Sequence, residues 1–189
     1  MSDGTEKSGG GQFRLLGTRR FGPLFLTQFL GAFNDNLYKN ALVVLVTFQA
    51  AQWTPMRPEI LANLAAGLFI LPFFFFSATA GQLADKYDKA LLARLTKLLE
   101  VGIMLVAIAG FLLHSLTLLL AALFLLGLQS TLFGPVKYAI LPQHLNEREL
   151  VGGNAQVEAG TFVAILIGTL AGGLLAGDLG GSGAITLVG

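Results

Sequence analysis

Cysteine is absent from this sequence, which excludes disulfides, thiolate chemistry and zinc–thiolate sites. Histidine is nearly absent: His114 and His144 stand far apart in the chain and make no local metal pair. Charge is scarce too. Only 12% of residues are charged, against about 25% in soluble domains. The formal net charge of +1 leaves no electrostatic footprint for nucleic acid. No nucleophile–His–acid set, phosphate-cradling glycine loop or metal cluster stands out, so no catalytic residue, no metal and no cofactor is assigned. Enzymatic activity in this segment is not expected.

What is present is apolar. Of 189 residues 54% are hydrophobic, with 15 phenylalanines and 24 glycines, and mean hydropathy is +0.71. A soluble core of this size needs more polar surface, whereas small residues and phenylalanine suit helices packed in lipid. The first 12 residues, "MSDGTEKSGGGQ", read as a disordered tail, and no signal-peptide cleavage pattern follows. Residues 13–189 read as an all-α, polytopic membrane bundle. Spans of about 20 apolar residues are expected at about 21–50, 61–83, 91–113, 116–135 and 150–176, and a sixth begins at about 183.

Lysine and arginine orient the bundle. Lys7, Arg14, Arg19 and Arg20 precede the first span; Lys86, Lys89, Arg94 and Lys97 surround the second link; Lys137 and Arg148 lie between the fourth and fifth spans. All fall on one side, against Arg57 on the other. By the positive-inside rule that side, and the N-terminus, is cytoplasmic.

The first span contains "FLTQFLGAFNDNLYKNALVVLV". Its 30 residues make a helix of about 45 Å. At 100° per residue, Gln28, Asp35 and Lys39 share a narrow face, flanked by Asn34, Asn36 and Asn40. Asp35 and Lys39 stand at i,i+4, acid first, the favourable order for a pair. Two readings stand. One is a structural ion pair to a neighbouring helix. The other is a substrate or coupling-ion site near the midplane, because charge in a membrane is costly. Glu158, in the fifth span, is read as a cavity-lining or inner-gate residue, or as a structural hydrogen-bonding group.

In "LFGPVKYAILPQHL", Pro135 and Pro142 are expected to break the fourth span. Lys137 and Tyr138 form a basic–aromatic pair at headgroup level, either a snorkelling anchor or a contact for a lipid phosphate. Gly168, Ala171, Gly172, Gly173 and Ala176 are expected to let the fifth span pack closely. The run "FILPFFFFS" either faces the bilayer or walls a cavity.

The link "GQLADKYDK" resembles the signature loop between the second and third helices of the major facilitator superfamily. Gly81, Asp85, Lys86 and Lys89 match the pattern, while Asp88 replaces its usual glycine, Ala90 its second paired base, and the usual arginine of the fourth helix is missing. Together with "FLTQFLGAFNDNLYKNAL", "FGPVKYAILP" and "GGNAQVEAGTFVAILIGTLAGG", it resembles the bacterial lysophospholipid transporter branch over about residues 13–189.

The resemblance implies the N-terminal six-helix half of a two-half fold, with the sixth helix truncated and the C-terminal transporter half missing as a partner. It implies alternating access in the bacterial inner membrane, moving lysophospholipid, chiefly lysophosphatidylethanolamine, inward for reacylation. An acyltransferase/acyl-ACP synthetase, fused or separate, is an implied partner, and a sodium ion or proton an implied coupling cation. Gly81, Asp85, Lys86 and Lys89 would form the inner gate. Asn34, Asp35, Asn36 and Lys39 would line the cavity. The alternatives are a generic carrier or drug exporter of the same superfamily, and a membrane anchor for a downstream acyltransferase.

Overall fold

The computed structural model describes residues 13–180. The expected tail and the apolar run from about 183 lie outside them. The described residues are helical, with no strand. A 3-10 turn, Phe13–Gly17, leads into α1 (Gly22–Trp53), α2 (Pro58–Lys86), α3 (Lys89–Leu112), α4 (Leu116–His144) and α5 (Glu147–Gly180). Helices α2 to α5 are each long and apolar enough to cross a membrane. α1 has the length, about 48 Å for its 32 residues, but carries the Asn/Asp/Lys arc.

Local chemistry sets the joints. Pro58 occupies the first turn of α2, where its missing N–H costs nothing. Asp88 caps α3 by accepting the Leu91 N–H at 2.7 Å; the departure from the superfamily's loop pattern thus has a local structural use. His114 turns the chain at φ 50°, and Ser115 caps α4 by accepting from Leu118 N–H at 3.4 Å. Glu149 reaches back to the Asn146 N–H at 3.0 Å at the start of α5.

One expectation fails. Pro135 and Pro142 do not break the fourth span: α4 runs through both to His144. Each proline forfeits one ladder bond, yet neighbouring helices and local adjustment let membrane helices absorb that loss. Pro72 sits inside α2 in the same way.

The main packing pairs are α1 with α5, α2 with α4 and α3 with α4. Glycine sets the close approaches. A Cβ at Gly168 would lie 2.6 Å from the Phe33 carbonyl oxygen, and one at Gly172 would strike that of Leu37. Gly127 meets the Phe69 backbone of α2 in the same way. Gly173 faces open space, so of the expected packing glycines it makes no close approach. Phe74 and Phe75 of the Phe-rich run point away from the bundle, 82% and 63% exposed.

Candidate functional site

Two polar networks cross the apolar bundle. The first joins α1, α3 and α4. Asp35 is buried, with 8% exposure, and Ser130 Oγ of α4 donates to its Oδ2. Ser130 also lies 3.3 Å from Gln129 Oε1. Gln129, 1% exposed, donates to Glu100 Oε2 of α3 at 3.3 Å. Asn34 of α1 donates to Glu100 Oε1 at 3.3 Å. Lys97, one turn before Glu100, pairs with it at 2.7 Å and lies 4.5 Å over the Phe133 ring. The Lys97 ammonium lies against Gly31 of α1, where a Cβ would collide with it.

This geometry corrects the helical projection. Asp35 and Lys39 do not pair; the i,i+4 spacing permits an ion pair, but both side chains find other partners. Lys39 donates to Asn36 Oδ1 at 2.9 Å and lies 5.0 Å over Phe69 of α2, while Asp35 turns to Ser130. Asn36 also donates to the Ala32 carbonyl, and Asn40 bridges to Thr169 of α5 at 3.2 Å. Glu100, Lys97 and Ser130 were not among the sequence-predicted site residues. The signal for the first two was the Lys-x-x-Glu spacing inside an apolar run: Lys97 reads as a headgroup residue only if Glu100, one turn deeper, is overlooked.

The second network joins α1, α4 and α5. Thr161 donates to Gln28 Oε1 at 2.9 Å, and Gln28 donates to the Val157 carbonyl at 3.4 Å. Lys137 approaches Thr161 Oγ1 at 3.5 Å and Glu158 at 3.8 Å. Tyr138 donates to the same Glu158 carboxylate. Glu158 therefore meets Lys137 and Tyr138, while Gln28 belongs with α5 and not with Asp35.

The expected gate residues stay apart. Asp85 and Lys86 are exposed, and Gly81 and Lys89 half-buried; Lys86 lies over the Tyr87 ring at 5.5 Å. Among the described residues none of the three charged groups makes an ion pair, so in this bundle they form no network. A clasp not foreseen lies elsewhere: Arg20 pairs with Glu149 at 2.5 Å and donates to the His144 carbonyl at 3.3 Å. An apolar cleft of about 210 Å³ lies between α2, α3 and α4, lined by Ala80, Leu83, Leu95, Leu132 and Val136 among others. Its one polar neighbour, Thr96, spends its hydroxyl on the Leu92 carbonyl, so the cleft offers no headgroup chemistry. No group of three or more metal-ligating side chains occurs among the described residues.

A family model described as Major Facilitator Superfamily matches residues 24–189. Lysophospholipid transporter LplT of Escherichia coli (strain SE11) is 31% identical over 156 residues, covering 81% of this chain and 36% of that protein. The protein of the same name from Shigella boydii serotype 18 gives the same identity and coverage. The chain thus spans 36% of the length of these curated relatives. No solved structure matches.

Proposed function

Because the chain belongs to the major facilitator superfamily, a family of transporters and not of enzymes, we propose that it is the N-terminal half of a lysophospholipid transporter. On this reading, α1 to α5 belong to a helical half that rocks against a second half around a midplane site. The cargo is a lysophospholipid such as lysophosphatidylethanolamine, carried inward across the bacterial inner membrane. The N-terminus is cytoplasmic on this reading, which the Lys/Arg bias supports.

The observation that carries the reading is the Asn34–Asp35–Asn36–Lys39 arc of α1. It is held inside an otherwise apolar bundle by partners from three helices. Groups this costly in a membrane are kept where a path for polar cargo needs them. An amphiphile with a zwitterionic head and one acyl chain suits such an arc among apolar walls. Similarity to the LplT proteins supports the lipid class. Asp85, Lys86 and Lys89 make no ion pair among the described residues, which leaves their charges available to meet the second half at the inner gate. An acyltransferase/acyl-ACP synthetase downstream would consume the delivered lipid.

The test is uptake of labelled lysophosphatidylethanolamine by spheroplasts carrying the full-length protein. Uptake is expected, and Asp35→Asn should abolish it. Competition by small drugs and not by lysolipids would favour a generic exporter and sink the lipid reading.

A further inference from the structure

Lys39, Lys97 and Lys137 are lodged among the helices, and each lies over a ring: Phe69 at 5.0 Å, Phe133 at 4.5 Å and Tyr138 at 4.8 Å respectively. Two of the three also meet a carboxylate, Lys97 at Glu100 and Lys137 at Glu158. Lys39 does not. Among the described residues no acid stands within ion-pair distance of its ammonium. Its hydrogen bond goes to a neutral oxygen, Asn36 Oδ1, at 2.9 Å. A lysine carries three N–H donors and a full charge. A ring face offsets part of that charge, but at Lys97 and Lys137 the ring stands beside a carboxylate and not in place of one. Charge inside a membrane bundle pairs with its opposite or marks a path for cargo. Lys39 is half-buried, whereas Asp35, one turn earlier, is sealed. Its surroundings are fixed. Asn36 donates to the Ala32 carbonyl at 2.8 Å, which turns its oxygen to the ammonium. Asn40 donates to the Asn36 carbonyl at 2.7 Å and to Thr169 at 3.2 Å, tying this turn of α1 to α5.

We infer that Lys39 is the seat of an anion, the phosphodiester of the cargo's headgroup. This rests on reading the chain as part of a lysolipid transporter, and it deepens that reading by separating Lys39 from the rest of the α1 arc. The charge selects the class: an ammonium without a carboxylate takes an anion, and a phosphodiester brings the single negative charge that Lys39 lacks. Lysine is a good point-charge partner for phosphate. The setting selects an amphiphile. Phe69 packs against the apolar cluster that holds Leu42 and Val46, so the ammonium stands where polar and apolar surface meet. A phosphate joined to an acyl chain through glycerol needs such a border. Asn36 is a positioning residue, since it holds the ammonium without neutralising it.

The test is selectivity, because a lysine that only braced α1 would weaken every ligand alike. The full-length protein in lipid nanodiscs is titrated with radiolabelled lysophosphatidylethanolamine, with empty nanodiscs subtracted. The competitors are the unlabelled lysolipid, the monoacylglycerol and the fatty acid of the same chain, and glycerophosphoethanolamine. The lysolipid is expected to compete at least about tenfold better than the monoacylglycerol. Lys39→Met removes the charge but keeps an unbranched chain, and should abolish that preference; Lys39→Arg should keep it. Asn36→Leu leaves the charge in place and should lower the preference less. An unchanged preference in Lys39→Met overturns the assignment, and so does a fatty acid that competes as well as the lysolipid. Equal competition by glycerophosphoethanolamine would give the seat to a soluble phosphodiester and overturn the lipid source. Each variant is checked for helical content and monodispersity, and if Lys39→Met does not fold, Asn36→Leu decides on the same ratio. Lysolipid uptake is measured in parallel. No uptake by the unaltered protein sinks the cargo reading and this seat with it; uptake with the preference unchanged in Lys39→Met sinks the seat alone.

Discussion

The two polar networks are built from the same kinds of side chain but differ in how their charges are met. In the α1–α4–α5 network, acid meets base: Glu158 faces Lys137 and Tyr138, and Gln28 and Thr161 satisfy each other. Glu158 is also 46% exposed on its side chain. In the α1–α3–α4 network the Lys97–Glu100 pair is complete, but Asp35 is buried with one oxygen unmet. Structure alone accounts for the α1–α4–α5 network. The α1–α3–α4 network retains an unmet acceptor at Asp35, in a place where such needs are expensive.

Substitutions can break this contrast. The largest effect is expected from Asp35→Asn, which should lower lysolipid uptake at least about 100-fold, on the order of 2.7 kcal/mol, with the protein still folded by circular dichroism. If uptake survives, the two networks are equivalent and the contrast is empty. Next comes the seam that carries both. Gly172→Val sets a side chain against the Leu37 carbonyl and should destabilise by about 1–3 kcal/mol in thermal unfolding. Gly173→Ala, facing open space, should do almost nothing, and equal losses at both would contradict the packing. A smaller effect is expected for the satisfied network. Lys137→Ala should cost about 0.2–1 kcal/mol, and exchanging charges in a Lys137→Glu, Glu158→Lys double variant should recover part of it. The smallest belongs to Arg20→Gln at the exposed clasp, within about 0.5 kcal/mol and vanishing in high salt. A large, salt-insensitive loss there would move the clasp from ornament to gate.

Much of this was legible in the residues. Apolar run lengths anticipated helices where α1 to α5 lie among the described residues, with an error of a few residues at most of the ends, and an acid in an apolar run marked Asp35. What failed did so for identifiable reasons. A helical projection keeps angle and discards height, so Gln28 and Asp35 share a face on paper while two turns of rise separate them and they meet different helices. Spacing along one helix allowed Asp35 to pair with Lys39, but the choice was made by Ser130, Asn36 and Phe69, two of them on other helices. Proline was read by the rules of water-soluble helices, and α4 follows those of lipid. Glu100 was hidden by its neighbour Lys97, whose charge was spent on orienting the bundle when it is in fact half-buried against α1.

The glycine seam between α1 and α5 also has a mechanical consequence. Gly160, Ala164, Gly168, Gly172 and Ala176 stand four apart, all buried, and the carbonyls of Phe33 and Leu37, also four apart, lie under two of them. The seam is a rack with evenly spaced teeth. A slide of less than one such step, about 6 Å for four residues, would bring Cβ-bearing positions of α5 against the α1 backbone at these close approaches. Close packing along this seam ties the polar arc of α1 to α5, so the two helices are expected to move together.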